Sequence, residues 1–280
     1  MSSVHGPSIA QSRRQDRLLR LLDAINQSGY IAVQELADQM QASTATIRRD
    51  IAALADQGLA VRTRGGVQST SQGNSVPLEL RAAVHWIEKQ AIGEAAAARV
   101  PRGPCAVALA GGTTVAAVLT ALGSRSDLTI VTNSIAIALR AAEQRHRRVL
   151  LAGGIVDAQS LELVGSLTES TLRQLNVRIA FVGCNGIQAS AGVTDHDDIA
   201  ARTSRVLMSR ADEVVVVADG SKVGQVALAK SADTAGIDVL ITDSRADPTE
   251  TLRLSHAGVR VIAVDPVHRA IRRSRAGTAG

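Results

Sequence analysis

Five short stretches carry groups suited to holding an oxyanion: Gly111-Gly112-Thr113-Thr114, Thr132-Asn133-Ser134, Gly153-Gly154, Gly183-Cys184-Asn185-Gly186 and Asp219-Gly220-Ser221-Lys222. Glycines let backbone N–H groups approach a ligand, hydroxyls donate to phosphate oxygens, and a lysine adds positive charge. At the start of a helix these groups act together with the unpaired amides of the first turn. The chemistry on offer is recognition of a phosphate that carries hydroxyls. Each stretch alone also reads as an ordinary turn between strand and helix, and Asn133-Ser134 as a helix cap. Their recurrence favours a pocket.

Patterns for turnover are missing. There is no G-x-x-x-x-G-K-[ST] and no G-x-G-x-x-G, which removes the main support for nucleotide hydrolysis or dinucleotide binding. The histidines at 5, 85, 146, 196, 256 and 268 form no metal or triad spacing. Asp195, Asp197 and Asp198 surround His196 after Gly192 and read as a solvated turn, with a metal or catalytic site as the alternative. Cys105 and Cys184 lie in apolar runs and read as buried free thiols; Cys184 has no base nearby to make it a nucleophile.

The elements that must position these groups are legible from hydropathy. Seven apolar runs, CAVALA (105–110), LTIVT (128–132), RVLLA (148–152), IAFVGC (179–184), VVVVA (214–218), DVLIT (238–242) and VRVIAV (259–264), alternate with helix-length segments. Unbroken apolar strands imply a mostly parallel sheet covered on both faces, with binding sites beyond the carboxyl ends of its strands. The stretches above occupy those ends.

Upstream the pattern changes. RRQDRLLRLLDAINQSG (13–29) has a helical apolar period and stops at Ser28-Gly29; VQELADQM (33–40) is a second short helix. Ser43 fits the N-cap of a third, in which Ile47, Ile51 and Leu54 face inward at i, i+4 and i+7. That leaves Thr44, Thr46, Arg48 and Arg49 around the outer side, the way a helix-turn-helix presents a recognition helix to a major groove. LAVRTRGGVQ (59–68) reads as a β-hairpin wing whose Arg62 and Arg64 reach phosphates. A three-helix bundle with solvated arginines is the plainer alternative. The candidates for DNA contact are Ser43, Thr44, Thr46, Arg48, Arg49, Arg62 and Arg64.

The segment GYIAVQELADQMQASTATIRRDIAALADQGLAVRTRGGV resembles the winged helix-turn-helix of the DeoR family of bacterial transcription regulators, along residues 14–69. The spacing of Ser43, Thr46, Ile47, Arg48, Arg49, Asp50, Leu54, Arg62, Gly65 and Gly66 carries the resemblance. It implies a helix-turn-helix over 31–50 and a reading helix over 43–57. Asp50, beside two arginines, is expected to form a local ion pair.

The strand-end landmarks resemble, in order, that family's C-terminal sensor domain, whose fold is similar to ribose-phosphate isomerases and CoA transferases. The resemblance implies effector contacts from Gly112, Thr113, Thr114, Thr132, Asn133, Asp219 and Lys222, and Gly154 joins them from its strand end. Two departures stand out. Ala110 occupies a position where the family commonly has an acid, and RTSR (202–205) stands where it tends to carry a lysine. Both point to an unusual effector or a partly decayed pocket.

The expected architecture is therefore α/β: a winged helix-turn-helix (14–69), a linker (70–80) and a mostly parallel-sheet sensor domain (81–267), between a disordered N-terminus (1–13) and a basic disordered tail (268–280). The expected partners are double-stranded operator DNA, a phosphorylated sugar or similar metabolite, and a second copy of the chain, with no cofactor, metal or membrane. An isomerase or deaminase of sugar phosphates with an appended DNA-binding domain is the alternative; isomerases of the related fold place acids where this chain has Gly183-Cys184-Asn185-Gly186. A ligand-blind DNA-binding oligomer is the third reading.

Composition agrees with this. The net charge of +5 is concentrated at the ends: residues 1–66 hold 8 Lys and Arg against 6 acids, and the tail from His268 has 4 arginines and no acid. Tyr30, Trp86 and Phe181 are too few for a base-stacking platform on a sheet. The absence of a long apolar run or signal-like start makes cytoplasm the expected location.

Overall fold

The computed structural model describes residues 14–265, except 15, 16, 19, 23, 26, 27, 57, 58, 70–80, 83, 145 and 146. The expected N-terminal segment, linker and basic tail lie outside the described residues. The chain divides into two compact units, Met1–Trp86 and Ile87–Gly280.

In the first unit, helix α1 (14–28 where described) is followed by β1 (Tyr30–Ala32), α2 (Val33–Met40), α3 (Thr44–Asp56) and the hairpin β2 (Ala60–Thr63) and β3 (Gly66–Ser69). Leu18, Leu21, Leu22 and Ile25 of α1 pack with Leu36, Ile47, Ile51, Leu54 and Val67 in one buried cluster. α2 stops because Gln41 takes left-handed angles (φ 51, ψ 44). The N–H of Ala42 then donates to the Ala37 carbonyl at 3.0 Å. β3 pairs antiparallel with both β2 and β1. β1, three residues long, carries no strand pattern in the sequence.

Helix α4 (Trp86–Ala97) starts at the last residue of the first unit and supplies the opening residues of the second. The main sheet of the second unit contains β4 (Cys105–Leu109), β5 (Leu128–Thr132), β6 (Arg148–Leu151), β9 (Val177–Val182), β12 (Ala211–Val217), β14 (Val239–Asp243) and β15 (Arg260–Val264). These are the seven apolar runs. Every pairing is parallel, in the order β15-β14-β12-β9-β4-β5-β6. Residues alternate between two buried layers. Val107, Leu109, Ile179, Phe181 and Val215 face one, with Val115 and Val118 of α5 (Thr113–Ala121) and Ile137 of α6 (Ile135–Ala142). Ala108, Ala110, Ala180 and Val182 face the other, with Leu172 of α7 (Ser166–Arg173) and Val206 and Leu207 of α8 (Asp198–Met208). The remaining helix, α9 (Pro248–His256), precedes β15.

Strand order reverses between β4 and β9: the chain proceeds from β4 through β5 to β6 on one side, and from β9 through β12 and β14 to β15 on the other. Such a switch point opens a crevice at the carboxyl ends of the two strands. Two small sheets border those ends, the hairpin β7 (Ile155–Asp157) with β8 (Glu162–Val164), and β10 (Gly186–Gln188), β11 (Gly192–Asp195) and β13 (Ala229–Ala232).

Candidate functional site

At the switch point, β4 runs into Gly111-Gly112 and α5 begins at Thr113. Gly112 adopts φ 107, a conformation that favours glycine, and no side chain caps the helix, so its first-turn amides are open to a ligand. Thr114 is buried and Thr113 half-buried. The end of β9 lies alongside: a Cβ on Gly183 would stand 3.6 Å from the Gly111 carbonyl oxygen.

The wall on the β5 side is built by hydrogen bonds. The Thr132 hydroxyl is fully buried and donates to the Leu109 carbonyl at 2.6 Å, while accepting from the Ser134 N–H at 3.0 Å. It therefore joins β4 to β5, a scaffolding use of the group expected to touch ligand. Ser134 caps α6, accepting from the Ile137 N–H. Asn133 is 2% exposed. Its Nδ2 donates to Glu162 Oε2 and to the Leu163 carbonyl, both at 3.2 Å. Its Oδ1 is buried without a donor among the described residues. An orphaned buried acceptor costs about 1–3 kcal/mol. Gly154 serves packing, because a Cβ there would collide with the Thr168 hydroxyl.

Across the switch point, Asp219 is buried and accepts from the Ser221 N–H at 3.2 Å, capping the 3-10 turn Gly220–Lys222. Asp243, fully buried, accepts from the Gly220 N–H at 2.7 Å. Burial pushes the Asp243 carboxyl up, but hydrogen bonds from Arg245 and Gly220 outweigh it and hold it below the usual range. Lys222 is half-buried and makes no ion pair among the described residues. It lies within electrostatic reach of Cys184, whose thiol is pushed well above its ordinary value by burial and by Asp195, with Lys222 opposing. A thiol so held is protonated and a poor nucleophile.

Two expectations near this site change. Asp195 does not sit in a solvated turn: it ends β11 and accepts from the Ser231 hydroxyl, and burial raises its carboxyl above the usual range. Asp197 caps α8, accepting from the Ala200 N–H at 2.8 Å, so the cluster around His196 is divided between structural tasks. Arg202 and Arg205, in the segment that departs from the resemblance, tie α8 to its neighbours, Arg202 through Glu169 at 2.8 Å and Arg205 through the Ser231 carbonyl at 3.3 Å.

In the first unit, Ser43 caps α3 as expected, its hydroxyl accepting from the Thr46 N–H at 3.2 Å and lying 2.9 Å from the Thr46 hydroxyl. Ser43, Arg48 and Arg49 are exposed, Thr44 and Thr46 half-exposed. Arg62 and Arg64 are exposed on the wing, which turns at Arg64-Gly65 with Gly65 at φ 81.

Asp50 does not pair locally. Consecutive helical residues point about 100° apart, so Asp50, three beyond Ile47, faces inward while Arg48 and Arg49 face out. It is 2% exposed and bonds Arg17 at 2.6 Å and Arg14 at 3.4 Å, fastening α3 to α1. Asp50→Ala is expected to destabilise this unit by about 1.5–3 kcal/mol, the worth of hydrogen bonds to a charged group, read by thermal melting of the full chain. An unchanged melt would remove the fastening role.

Comparison with known proteins follows this division. Residues 14–73 match the DeoR-like helix-turn-helix domain, and residues 84–244 match the DeoR C terminal sensor domain. The chain belongs to the DeoR family of transcription regulators. It is 30% identical to the glycerol-3-phosphate regulon repressor of Escherichia coli (strain K12), over 84% of this chain and 91% of that protein. It is 31% identical to the transcriptional regulator GlpR of Haloferax volcanii, over 88% of this chain and 96% of that protein. Among solved structures, ribose 5-phosphate isomerase A from Methanocaldococcus jannaschii aligns with a TM-score of 0.36 and 18% identity, covering 48% of this chain and 52% of that one.

As a DeoR-family member the chain is a DNA-binding transcription regulator. Glu162 and Asp243, which border the candidate site, are not singled out by the sequence reading. The signal for Asp243 was present, an acid closing an apolar strand. Glu162 had none, because its place depends on how the β7–β8 hairpin folds back.

Proposed function

We propose that this regulator represses a sugar or carbohydrate operon and that its α/β unit senses a phosphorylated sugar or a related metabolite. The observation that carries the reading is the combination at the switch point of open donors, the first-turn amides of α5, with the orphaned acceptor Asn133 Oδ1. Donors call for an oxyanion and the acceptor for a hydroxyl, and a sugar phosphate supplies both. A relative named for the glycerol-3-phosphate regulon supports the same chemical class.

In this reading Gly112, Thr113 and Thr114 hold the phosphate with Lys222. Asn133 reads a hydroxyl, and Thr132, Gly154 and Asp219 hold the frame. Ser43, Thr44, Thr46, Arg48 and Arg49 face the major groove, and Arg62 and Arg64 the phosphate backbone. The regulator works in the cytoplasm as a homo-oligomer, since paired winged domains on repeated half-sites recognise more base pairs than one domain. It binds without turnover: the relatives named above are regulators, and the protonated Cys184 thiol is a poor nucleophile. Ligand acts by favouring one arrangement of the protein over another.

The test is a thermal-shift panel of phosphorylated sugars on the full chain. A ligand that raises the melting temperature and changes operator binding is expected. Lys222→Ala should weaken that ligand at least tenfold, the loss of a charge-assisted hydrogen bond of about 1.5–3 kcal/mol, and leave operator binding intact. No shift with any sugar phosphate, or steady isomerisation or deamination of one, would overturn the reading.

A further inference from the structure

Helix α4 is connected to both groups proposed to hold the anion. On one side it packs on α5: a Cβ on Gly93 would stand 2.6 Å from the Ala117 carbonyl carbon, so the two helices meet backbone to backbone, one turn beyond Thr113. Interiors packed this closely transmit a displacement rather than absorb it.

On the other side α4 is tied to the Lys222 turn by a chain of charged groups. Glu88, in the first turn of α4, is half-buried and pairs with Arg245 Nη2 at 3.3 Å. Arg245 donates from Nε and from its backbone N–H to Asp243 Oδ1, both at 3.0 Å. The other oxygen of this fully buried carboxylate, Oδ2, accepts from the Gly220 N–H at 2.7 Å. Gly220 opens the 3-10 turn that ends in Lys222.

The chain is stiff for three reasons. A buried charge loses its donors only at a large cost, so the Asp243 carboxyl group follows the Gly220 amide. A guanidinium is planar with its donors in a fixed fork, so turning Arg245 at Nε also moves Nη2 relative to Glu88. The backbones are also in direct contact: a Cβ on Gly220 would stand 2.5 Å from the Ala246 nitrogen and 2.8 Å from the Arg245 carbonyl carbon, so the turn rests on the segment that carries the arginine.

We propose that Arg245 is a positioning residue for regulation, carrying occupancy of the effector pocket from the Lys222 turn to the first turn of α4. The inference rests on the pocket reading above, in which an anion is held between the α5 amides and Lys222. An anion that draws these groups together moves the Lys222 turn relative to α5. α4 is packed on α5 and linked to that turn through Arg245, so the shift reaches it as a pull on Glu88. Because α4 starts where the first unit ends, its first turn is where a change inside the sensor unit is passed along the chain. A contact that differs between two positions of the turn is what a ligand needs in order to shift an equilibrium between them.

The experiment is hydrogen exchange of the full chain with and without saturating inorganic phosphate, read at the amides of residues 220–223 and 90–93, in wild type, Arg245→Ala, Glu88→Ala and Lys222→Ala. Melting curves without phosphate establish folding, and the Glu88 variant serves if the Arg245 variant does not fold. In wild type, phosphate should slow exchange in both segments. Arg245→Ala and Glu88→Ala should keep the slowing at 220–223 and reduce that at 90–93 by about fivefold or more, the low end of ordinary coupling between sites. A residue that only stabilised the fold would change exchange alike with and without phosphate. A response at 90–93 that is absent in wild type, survives in either folded variant, or is lost there together with that at 220–223 would overturn the role of Arg245 and leave the pocket standing. No slowing at 220–223 in wild type, or slowing that Lys222→Ala leaves unchanged, would overturn the pocket reading and this inference with it.

Discussion

Changing Arg48 and Arg49 together to alanine should remove most operator affinity. Both side chains are exposed on the outer side of α3, and the acid that might have neutralised them, Asp50, is engaged by Arg17 and Arg14 on the opposite face. Each bidentate contact to a guanine edge is worth about 1–3 kcal/mol, so a pair of such contacts amounts to about 2–6 kcal/mol. Fluorescence anisotropy with operator fragments recovered from genomic mapping, at two salt concentrations, reads the effect. The loss should be accompanied by relaxed preference at the contacted base pairs. Arg62→Ala or Arg64→Ala should instead weaken all sequences alike and lower the salt slope by about 1 each. Neither Arg48 nor Arg49 holds the unit together, so melting should be unchanged. Affinity and salt dependence that survive the double change would show that another face of the unit meets DNA.

Phe181→Ala should lower the stability of the sensor unit by about 3–5 kcal/mol. Phe181 is completely buried near the middle of the seven-stranded sheet, opposite Leu109 on one side and Val215 on the other. It is the only phenylalanine in the chain, and the layer around it is valine, isoleucine, leucine and alanine. Residues of that size fixed in strands cannot move to fill the space left by a lost ring, so both the transfer and the cavity terms are paid in full. The consequence reaches the site, because the Phe181 carbonyl accepts from the Ala110 N–H at 3.0 Å immediately before the Gly111 turn. Urea unfolding of the full chain, followed by a probe of the sensor unit, measures the change. A loss below about 1 kcal/mol would mean that the sheet is less tightly packed at its centre than described.

Both variants concern parts that hydropathy alone made visible, and the reason is physical. A strand buried on both faces has to be apolar nearly throughout, so the inner strands of the main sheet stood out, whereas the edge strands β6 and β15 are apolar but only part-buried. The helical faces of the winged unit and the cap at Ser43 were equally plain, because one side of each helix must be apolar and one hydroxyl must begin α3. β1, β7, β8 and the strands of the β10-β11-β13 sheet were not legible. At three or four residues they are too short to show a period, and they exist because longer elements hold them.

The same division applies to individual groups. The glycines and threonines of the β4 turn were recognisable, since the turn needs them wherever it lies. Whether a hydroxyl faces a ligand or a carbonyl was not: Thr132 and Asn133 are adjacent, yet one is used within the sheet and the other is left with an orphaned oxygen. Asp50 showed the limit most clearly. Its sequence neighbours are arginines, but its actual partners are 33 and 36 residues away, because a helix turns adjacent side chains apart.

In the proposed pocket the β7–β8 hairpin forms one half and the β4–α5 turn the other. The proposed anion end belongs to the turn between β4 and α5, where Gly112 holds φ 107. The other end is supplied by a ten-residue arm, Ile155–Val164, whose backbone bonds to the β5 end fix its position whatever side chains it displays. If the pocket proposed above is right, substitution along such an arm should alter what is recognised and leave the phosphate contacts of the β4–α5 turn in place.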